Sequence, residues 1–599
     1  GVAAASLWKK LQPKWQTQPP AGLDPCDVPD DTLFVYQIAT GAVGFEARRT
    51  SLVAPPELAA TYGSNNWAVA PSRTAGGTAI LANDPHRAHE VPSLRYIVHL
   101  VAPGLNVIGA GEPALPGISI GHNERIAFGL TVFPIDQEDL YVYQADPEDP
   151  ARYLYRGRYE PVEVVTDTIA VRGRDVGVDV RMEYTRHGPV IKRTDDKIFA
   201  VRAGWLEPGM APYFGSIEYI RAQSWREFST ALNRWGAPAE NHVFADVDGN
   251  IGYKPAGLFP RRVNYDGLFP VPGDGRYEWQ GFFDMDVLPA EFNPERGFVA
   301  TANAMNLPDD YPVDERRVGF EWSSPWRHQR IFDVLARQPE HTIEDALALQ
   351  RDYRSLLARR LIDALPRESR RSLAGRMLRR WNGDMLQDAP SAALFSIWYH
   401  RYLNPALTLW ALGSRQPAAT IDSMTVVQLV EWGKLDVLVD DTLDKAFRQT
   451  VRVLGHDSGD WRWGDLHKVK FRHPLLGWAE PQMRKQMVMA EYPRGGSGST
   501  TNNTGFTFND FSVQSGASWR FVVDTGDWDS ARMTNAPGQS GDPRSPFFDN
   551  LLEGWATDQS FPLLYSREAV ERHTAERIEL VPATAVAAVA GEQGEQAVE

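Results

Sequence analysis

The stretch TYGSNNWAVAPSRTAGGTAILAN, residues 61–83, decides how the fold can be interpreted. A Gly63-Ser64 pair stands directly before the run WAVA, whose composition predicts a strand. Ser64 would then lie at a strand end, where a rigid sheet can present its hydroxyl group. Gly63 would allow the backbone before it to adopt angles that other residues avoid. A plain loop that opens a hairpin is the alternative interpretation.

Cleavage of the bond between Gly63 and Ser64 would give Ser64 two catalytic groups. The freed α-amine has a reference pKa of roughly 7.7–8.0, so an appreciable fraction is neutral near neutral pH. It can serve as general base for the hydroxyl of the same residue, directly or through a water molecule. No G-x-S-x-G pattern surrounds Ser64, so the sequence does not support the nucleophile elbow of an α/β-hydrolase.

The composition restricts the classes of function. The chain has 599 residues, of which 43% are hydrophobic, with 19 Trp, 20 Tyr and 26 Phe, so it can bury a large core. The formal net charge of -15 argues against a nucleic-acid partner, which would need an excess of Lys and Arg. Cys26 is the single cysteine, which excludes an intrachain disulfide and a multi-cysteine metal site. No apolar run of about 18 or more residues appears, so we expect no membrane-spanning segment.

The sequence pattern changes along the first half of the chain. Residues 1–63 contain the breaker cluster QPPAGLDPCDVPDD and are interpreted as a loosely organised leader or linker. The chain begins without Met, and GVAAASLWKKLQPKW lacks the pattern of a signal peptide, as expected for a fragment or a processed product. Residues 64–599 would form the catalytic body, which is β-rich to about residue 327. Within it, Asp248-Gly249 between VFADV and NIGYK predicts a hairpin.

A helical segment is predicted at about residues 340–454. In HTIEDALALQ, Thr342 can cap the first helix, because Asp345 follows three residues later. A β-type pattern returns after this segment, and the Ala-, Glu- and Gln-rich tail at about residues 583–599 is expected to be disordered. The pattern predicts a large sheet-based body that is interrupted by a helical excursion.

A metal centre is the first rival interpretation. His86 and His89 in DPHRAHE could be ligands, with Asp84 or Glu90 as a third. Pro85 argues against the helix that would place the two histidines on one face. No HExxH pattern is present, so an ordinary polar or orienting role is favoured for both histidines.

Five segments together resemble the penicillin acylase family of N-terminal-nucleophile hydrolases. They are GSNNWAVAPSRTAGGTAILANDPH, PALPGISIGHNERIAFGLT, DGNIGYKPAGLFPRR, GFVATANAMN and GQSGDPRSPFFDN, in the family's order. The resemblance implies an α+β fold, a four-layer αββα sandwich with a helical insertion, in an amide hydrolase without an organic cofactor. It also implies a precursor that cleaves itself after Gly63, a mature heterodimer with a small subunit, and a periplasmic or secreted location. Residues 1–63 resemble only the end of that small subunit and its spacer.

The resemblance also implies the roles of five residues. Ser64 matches the nucleophile. Asn303 in TAN matches the side-chain donor of the oxyanion hole, and Val132 matches the residue whose backbone N–H completes it. Arg327 in SPWRHQR matches the arginine near the α-amine. His86 matches a histidine that would hydrogen-bond near the nucleophile.

A structural calcium ion is implied by the segment PIDQEDLY. Hard oxygen ligands of mixed type suit Ca²⁺. The matching positions are the carboxylates of Asp136 and Asp139, the backbone carbonyls of Glu138 and Pro260, and the carboxylate of Asp314 or Glu315. The family's small subunit contributes a further ligand.

The substrate is left open by the sequence. Arg87, Ile120 and Val132 are predicted to line the acyl pocket, where Arg87 could meet a polar or anionic acyl end. The candidate substrates are amides of β-lactam antibiotic side chains, acyl-homoserine lactones, lipopeptide acyl groups and small amides. A non-catalytic or unprocessed aromatic-rich binding relative and a His-based metallohydrolase are the alternatives to an acylase.

Overall fold

The computed structural model describes residues 19–41, 63–413 and 420–582, and the predicted disordered tail lies outside these ranges. Two large sheets form the centre of the molecule. The first sheet has ten strands, which span Gly63–Val69, Ile80–Ala88, Phe298–Thr301, Lys468–Val469, Tyr492–Pro493, Thr504–Phe506, Val513–Ala517, Trp519–Asp524, Asp527–Asn535 and Phe561–Pro562. The second has seven strands, which span Tyr96–Ala102, Leu105–Gly111, Ile120–His122, Ile126–Val132, Glu240–Asp246, Ile251–Ala256 and Glu291–Phe292.

The strand Gly63–Val69, here called the Ser64 strand, lies inside the first sheet. It pairs antiparallel with Ile80–Ala88 on one side and with Phe298–Thr301 on the other. All of its residues are buried. The strand predicted at WAVA is therefore confirmed, and the Gly-Ser pair before it forms the first two residues of the same strand.

The two sheets pack face to face, and helices cover both outer faces. Trp67 of the first sheet packs against Ile331, which belongs to the helix Trp326–Arg337. On the opposite side of the molecule, Phe128 of the second sheet contacts Tyr219 edge to face, with 5.0 Å between the ring centroids. The order helix, sheet, sheet, helix confirms the predicted four-layer αββα sandwich.

Asn83 joins the two sheets by hydrogen bonds. Its Nδ2 donates to the carbonyl of Leu130 at 3.0 Å, and its Oδ1 accepts from the Leu130 N–H at 2.9 Å. Gly129 provides the space for this contact, because a Cβ atom there would lie 2.6 Å from Oδ1 of Asn83. These contacts fix the position of the strand Ile80–Ala88, which carries Asn83, against the strand Ile126–Val132.

Smaller sheets extend from this sandwich. Asp248 and Gly249 lie in the turn between Glu240–Asp246 and Ile251–Ala256, with φ +88° at Gly249, which confirms the predicted hairpin. A six-stranded sheet contains Glu138–Gln144, Glu163–Ile169, Val178–Thr185, Gly188–Arg193, Lys197–Ala203 and Val271–Pro272. Two-stranded sheets pair Pro260–Val263 with Glu278–Phe282 and Arg152–Tyr155 with Arg158–Pro161.

The helical region has its own hydrophobic core. Thr342 and Asp345 form the predicted capping box, with bonds in both directions. The region starts before the predicted residue 340, because the helix Trp326–Arg337 precedes it. The following helices are Ile343–Gln350, Leu356–Asp363, Arg367–Arg371, Leu373–Arg380, Pro390–Ile397, the π-helical Trp398–Leu403, Asn404–Leu412, Ser423–Glu431 and Asp436–Leu454. Elsewhere the helices are Phe34–Thr40, Ser216–Tyr219, Trp225–Ala231, Trp463–Leu466, Pro481–Gln486, Leu552–Ala556 and Arg567–His573.

The described part of the predicted leader, residues 19–41, contacts the body. Tyr36 donates a hydrogen bond to the Glu138 carboxylate. Lys192 forms an ion pair with Asp31 at 2.6 Å. The helix Phe34–Thr40 buries none of its residues. This part of the leader therefore lies on the surface of the six-stranded sheet.

Candidate active site

Ser64 is buried at the start of its strand, where its backbone and side chain are both held. Its N–H donates to Oδ1 of Asn303 at 2.6 Å. Its hydroxyl donates to the carbonyl oxygen of Gly63 at 2.6 Å. Arg327 Nη1 donates to the Ser64 carbonyl at 2.8 Å. The hydroxyl therefore lies beside the peptide bond at which cleavage is predicted.

Residue 63 has room only for a glycine, because Arg327 and Asn303 occupy the space where a Cβ atom would lie. A Cβ atom at residue 63 would lie 2.7 Å from Nη2 of Arg327 and 2.9 Å from Oδ1 of Asn303. The unusual backbone angles expected at Gly63 are absent, since it pairs with His86 in a regular antiparallel register and has no left-handed φ. Any larger side chain at this position would have to displace Arg327 or Asn303.

Arg327 and Asn303 hold the carbonyl and amide groups around Ser64. Arg327 Nη2 donates to Oδ1 of Asn303 at 2.9 Å, and its Nη1 donates to Oδ1 of Asn65 at 2.6 Å. Asn303 has a left-handed φ of 65°, which asparagine tolerates better than most residues. Burial lowers the pKa of Arg327 to about 10, so the guanidinium is still charged at neutral pH.

Val132 directs its backbone toward Asn303. Phe133 N–H donates to the carbonyl of Ala239 at 3.0 Å, so Val132 and Glu240 form a non-hydrogen-bonded pair in the ladder. The Val132 N–H and carbonyl therefore point away from Glu240, and the carbonyl accepts a bond from Asn303 Nδ2 at 3.0 Å. The strand Ile120–His122 on that side does not extend to Val132. The Val132 N–H thus points to the same side of the strand as the carbonyl that Asn303 contacts.

His86 is completely buried one strand away from Ser64. Its Nε2 lies 2.9 Å from Oδ2 of Asp84 and 3.3 Å from Nδ2 of Asn65. Asn65 Nδ2 also lies 3.1 Å from the same Asp84 oxygen. Burial, together with the positive charges of Arg327 and Arg520, keeps the pKa of His86 well below its usual range. A neutral His86 therefore orients Asn65, the residue that follows Ser64, and no hydrogen bond joins His86 to Ser64 within the described residues.

The Val132 side chain is 40% exposed, although the rest of its strand is buried. Glu240 is its cross-strand neighbour, is 2% exposed and has an Oε2 without a hydrogen-bond partner. Arg87 and Arg95 both contact Oε1 of Glu112, each at 3.3 Å. Burial raises the pKa of Glu240 to about 8, and the positive charges of the two arginines oppose this shift. The sequence analysis predicted Arg87 for the acyl pocket but did not single out Glu240. The signal that could have found Glu240 is an acidic residue at the start of a buried strand.

Ile120 is the third residue predicted to line the acyl pocket. Its side chain has no exposed surface and packs in the core between the second sheet and its helices. A separate cavity of about 330 Å³ reaches Arg327 from the helical region, and Trp322, Phe395 and Tyr399 are among its lining residues. Ile120 is thus buried, whereas the side chains of Val132 and Arg87 are 40% and 36% exposed, and the pocket roles of all three stay predictions.

The predicted metal ligands are divided between two places. Asp136 and Asp139 converge on Arg262, whose guanidinium lies 3.2 Å from Asp136 and 2.8 Å from Asp139. The Glu138 carboxylate bonds Tyr36 and, at 2.8 Å, Trp205. Because an arginine already occupies the space between the two aspartates, the residues present do not fit a calcium ion there.

The remaining predicted ligands lie outside this cluster. Pro260 is buried and begins the short strand that also carries Arg262. Asp314 and Glu315 are exposed. Among the residues that the structure describes, no group of three His, Cys, Asp or Glu could hold a metal ion.

The rival metal centre at His86 and His89 is not supported. The ring of His89 stacks on Phe471 with 4.3 Å between centroids and meets Trp555 edge to face. Both of its nitrogens are buried without a partner, and burial lowers its pKa to about 3. Within the described residues, neither histidine belongs to a group of three His, Cys, Asp or Glu side chains that could hold a metal ion.

Comparison with known proteins assigns this site to a family. The sequence profile described as penicillin amidase matches residues 4–572. The chain belongs to the penicillin amidase family. Membership confirms the predicted resemblance and makes the chain a hydrolase that acts on linear amide C–N bonds.

Individual relatives agree with this assignment. The penicillin acylase 2 proenzyme of Pseudomonas sp. (strain SE83) is 31% identical over 563 residues, which cover 88% of this chain and 70% of the relative. The acyl-homoserine lactone acylase QuiP of Pseudomonas fluorescens (strain Pf0-1) is 28% identical over 554 residues, covering 84% and 66%. The thermostable penicillin G acylase from Alcaligenes faecalis has the same fold, with a TM-score of 0.66, 19% identity, and coverage of 86% of this chain and 99% of that one.

The helices of the structure can also be compared with the length of a membrane span. Among the described residues, none combines the length and the apolar character needed to cross a bilayer.

Proposed function

We propose that the chain is the precursor of an N-terminal-serine amidohydrolase that cuts itself between Gly63 and Ser64. The observation that carries this proposal is the position of the Ser64 hydroxyl, 2.6 Å from the Gly63 carbonyl oxygen. Attack of Oγ on the Gly63 carbonyl carbon forms an ester while the C–N bond breaks and the nitrogen takes up a proton. Water then hydrolyses the ester, which leaves a carboxylate on Gly63 and a free α-amine on Ser64.

The same groups would act on an external amide. Ser64 Oγ attacks the substrate carbonyl carbon, and the α-amine accepts the hydroxyl proton and passes it to the leaving amine. The N–H of Val132 and Nδ2 of Asn303 stabilise the oxyanion, a contribution of roughly 3–4 kcal/mol for each well-placed donor. Water then hydrolyses the acyl-enzyme and restores Ser64.

Arg327 supports the base role of the α-amine. A charged guanidinium close to an amine disfavours protonation of that amine, because two positive charges repel each other in a buried site. Arg327 bonds both the Ser64 carbonyl and Asn303, so it also orients the new N-terminus. A larger fraction of the amine is then neutral and able to accept a proton.

The acyl group of the substrate is proposed to carry a polar or charged end. Supporting this are Glu240, the cross-strand neighbour of the exposed Val132, and Arg87, whose positive charge acts on Glu240. The substrate classes are those of the relatives, amides of β-lactam side chains or acyl-homoserine lactones, and related N-acyl compounds. We also propose a two-chain mature enzyme made from one precursor, and a periplasmic or secreted location, both supported by family membership.

Mass spectrometry of the expressed protein tests the proposal. Wild type should yield a fragment that starts at Ser64 and should turn over members of a panel of N-acyl amides. Ser64→Ala should give only the uncut chain and no turnover, whereas Ser72→Ala, which changes an exposed serine just after the strand, should behave like wild type. An uncut wild type without turnover would favour the non-catalytic binding relative, and an active Ser64→Ala protein would end the proposal.

A further inference from the structure

The loop Asp136–Asp139 surrounds a guanidinium group. Arg262 Nε donates to Oδ2 of Asp139 at 2.8 Å, and its Nη2 lies 3.2 Å from Oδ2 of Asp136. The same Nη2 donates to the backbone carbonyl of Asp136 at 3.0 Å and lies 3.5 Å from that of Glu138. One side chain therefore contacts two carboxylates and two backbone carbonyls of the loop.

The surroundings enclose Asp139 more fully than Asp136, whose side chain is 23% exposed and borders a cavity of about 310 Å³. Tyr265 donates to Oδ2 of Asp139 at 3.0 Å, and Trp279 Nε1 donates to the same oxygen. A Cβ atom at residue 267 would lie 2.5 Å from Oδ2 of Asp136 and 2.7 Å from Nε of Arg262, so the glycine there lets the backbone pack directly on the ion pair. The side chains of Arg262 and Asp139 are 4% and 1% exposed.

We propose that Arg262 is a built-in cation that performs the structural role expected of the calcium ion. An arginine is permanently charged and offers several fixed N–H donors, which here match the carboxylate and carbonyl oxygens of the loop. A calcium ion requires six to eight oxygen ligands and would have to displace the buried guanidinium to reach both aspartates. The neutral donors Tyr265 and Trp279 stabilise Oδ2 of Asp139, while Oδ1 of Asp139 and Nη1 of Arg262 are buried without a hydrogen-bond partner.

The ion pairs of Arg262 with Asp136 and Asp139 lie at the end of the strand that carries Val132. The loop follows Phe133, whose N–H bonds the carbonyl of Ala239, and so it continues the strand that presents Val132. Arg262 belongs to the strand Pro260–Val263, which pairs with Glu278–Phe282 and not with the central sheets. The ion pairs therefore anchor the end of the Val132 strand to a separate hairpin without a metal ion.

The test compares calcium dependence in wild type and in Arg262→Met. Arg261→Met is the matched control, because Arg261 is the exposed neighbour that lies over the Phe283 ring. Protein is stripped with a chelator, melted with and without millimolar Ca²⁺, and titrated with Ca²⁺ in a calorimeter. These readouts need no activity, so they do not depend on the proposed function.

We expect wild type and Arg261→Met to show no binding heat and the same melting temperature with calcium and with chelator. Arg262→Met should melt several degrees lower, and Arg262→Lys should recover part of the loss because it keeps the charge. Stoichiometric calcium binding by stripped wild type, or a melting temperature that falls on chelation, would overturn the proposal. If Arg262→Met does not fold, the calcium titration of wild type still tests the proposal. An Arg262→Met protein as stable as Arg261→Met would also overturn the proposal.

Discussion

Asn303 connects three groups at the centre of the site. Its Oδ1 accepts bonds from the Ser64 N–H and from Arg327, and its Nδ2 donates to the Val132 carbonyl. An amide is therefore required at this position, because the side chain must both accept and donate. Alanine would keep neither bond and leave the buried Arg327 with one partner fewer.

Asn303→Ala should lower kcat about 10²- to 10³-fold, the usual cost of losing one oxyanion donor. The measurement is kcat on the best amide of the panel, normalised to the fraction of chain cut at Ser64. Asn306→Ala is the control, since Asn306 bonds Asn241 and not the nucleophile. A kcat within about threefold of wild type would exclude Asn303 from the oxyanion hole.

Glu240 makes stability depend on pH. Burial raises its pKa to about 8 from an ordinary 4.5. Between these values the folded protein keeps a proton that the unfolded chain has released, so stability falls as the pH rises through this window. The loss is complete above about pH 8 and amounts to a few kcal/mol.

Glu240→Gln should remove this dependence, because an amide has no proton to lose. Between about pH 5 and pH 8.5 the melting temperature of wild type should fall by a few degrees more than that of the variant. Scanning fluorimetry over this range provides the measurement, with the exposed Glu295→Gln as control. Parallel curves for wild type and Glu240→Gln would show that Glu240 is ionised at little cost.

At the scale of elements, the sequence predicted the features that depend on interactions between residues close together in the chain. The capping box of Thr342 and Asp345, the hairpin at Asp248-Gly249 and the strand after Ser64 all formed as predicted. Each depends on residues a few positions apart, whose propensities and turn chemistry can be read directly from the chain.

The contacts of Glu240 and Arg262 could not be predicted in this way. The positive charges of Arg87 and Arg95 act on Glu240 only because distant segments of the chain bring them near the strand that pairs with the Val132 strand. Arg262 meets the aspartates only after a hairpin folds back onto their loop. Such pairings between distant segments leave no periodic signal in the sequence.

Asn83 permits a test of how the two sheets are aligned. Asn83→Leu would leave the N–H and carbonyl of Leu130 without their partners in a buried interface, a cost on the order of 3 kcal/mol or more. Gly129→Ala should weaken the same contact by crowding. Both variants should melt several degrees lower in scanning fluorimetry and process more slowly, whereas the exposed Asn382→Leu should not. Normal processing in both would mean that other contacts set the register.

At the scale of the whole molecule, the helical region and the sandwich meet at Arg327. The helix Trp326–Arg337 covers the outer face of the first sheet, while Trp326 also belongs to the core of the helical region. The sequence pattern located the helical segment from about residue 340 because the earlier helix begins with Trp, Arg and His and lacks a side-chain cap. Arg327, which bonds the Ser64 carbonyl, thus lies where the two hydrophobic cores join.

The position of the Ser64 strand predicts how the whole protein responds to cleavage. Residues Asn66–Val69 pair with strands on both sides, and Ser64 and Asn65 pair with Pro85 and Asp84. None of these ladder bonds requires an intact bond between Gly63 and Ser64, and Asn303 and Arg327 still hold Ser64 after the cut. The cleaved enzyme should therefore melt within a few degrees of the uncut Ser64→Ala precursor in scanning fluorimetry, while only the cleaved form turns over amides. A drop of more than about ten degrees on cleavage would show that the segment before Ser64 is part of the folded core, and that the cut changes the fold as well as the chemistry.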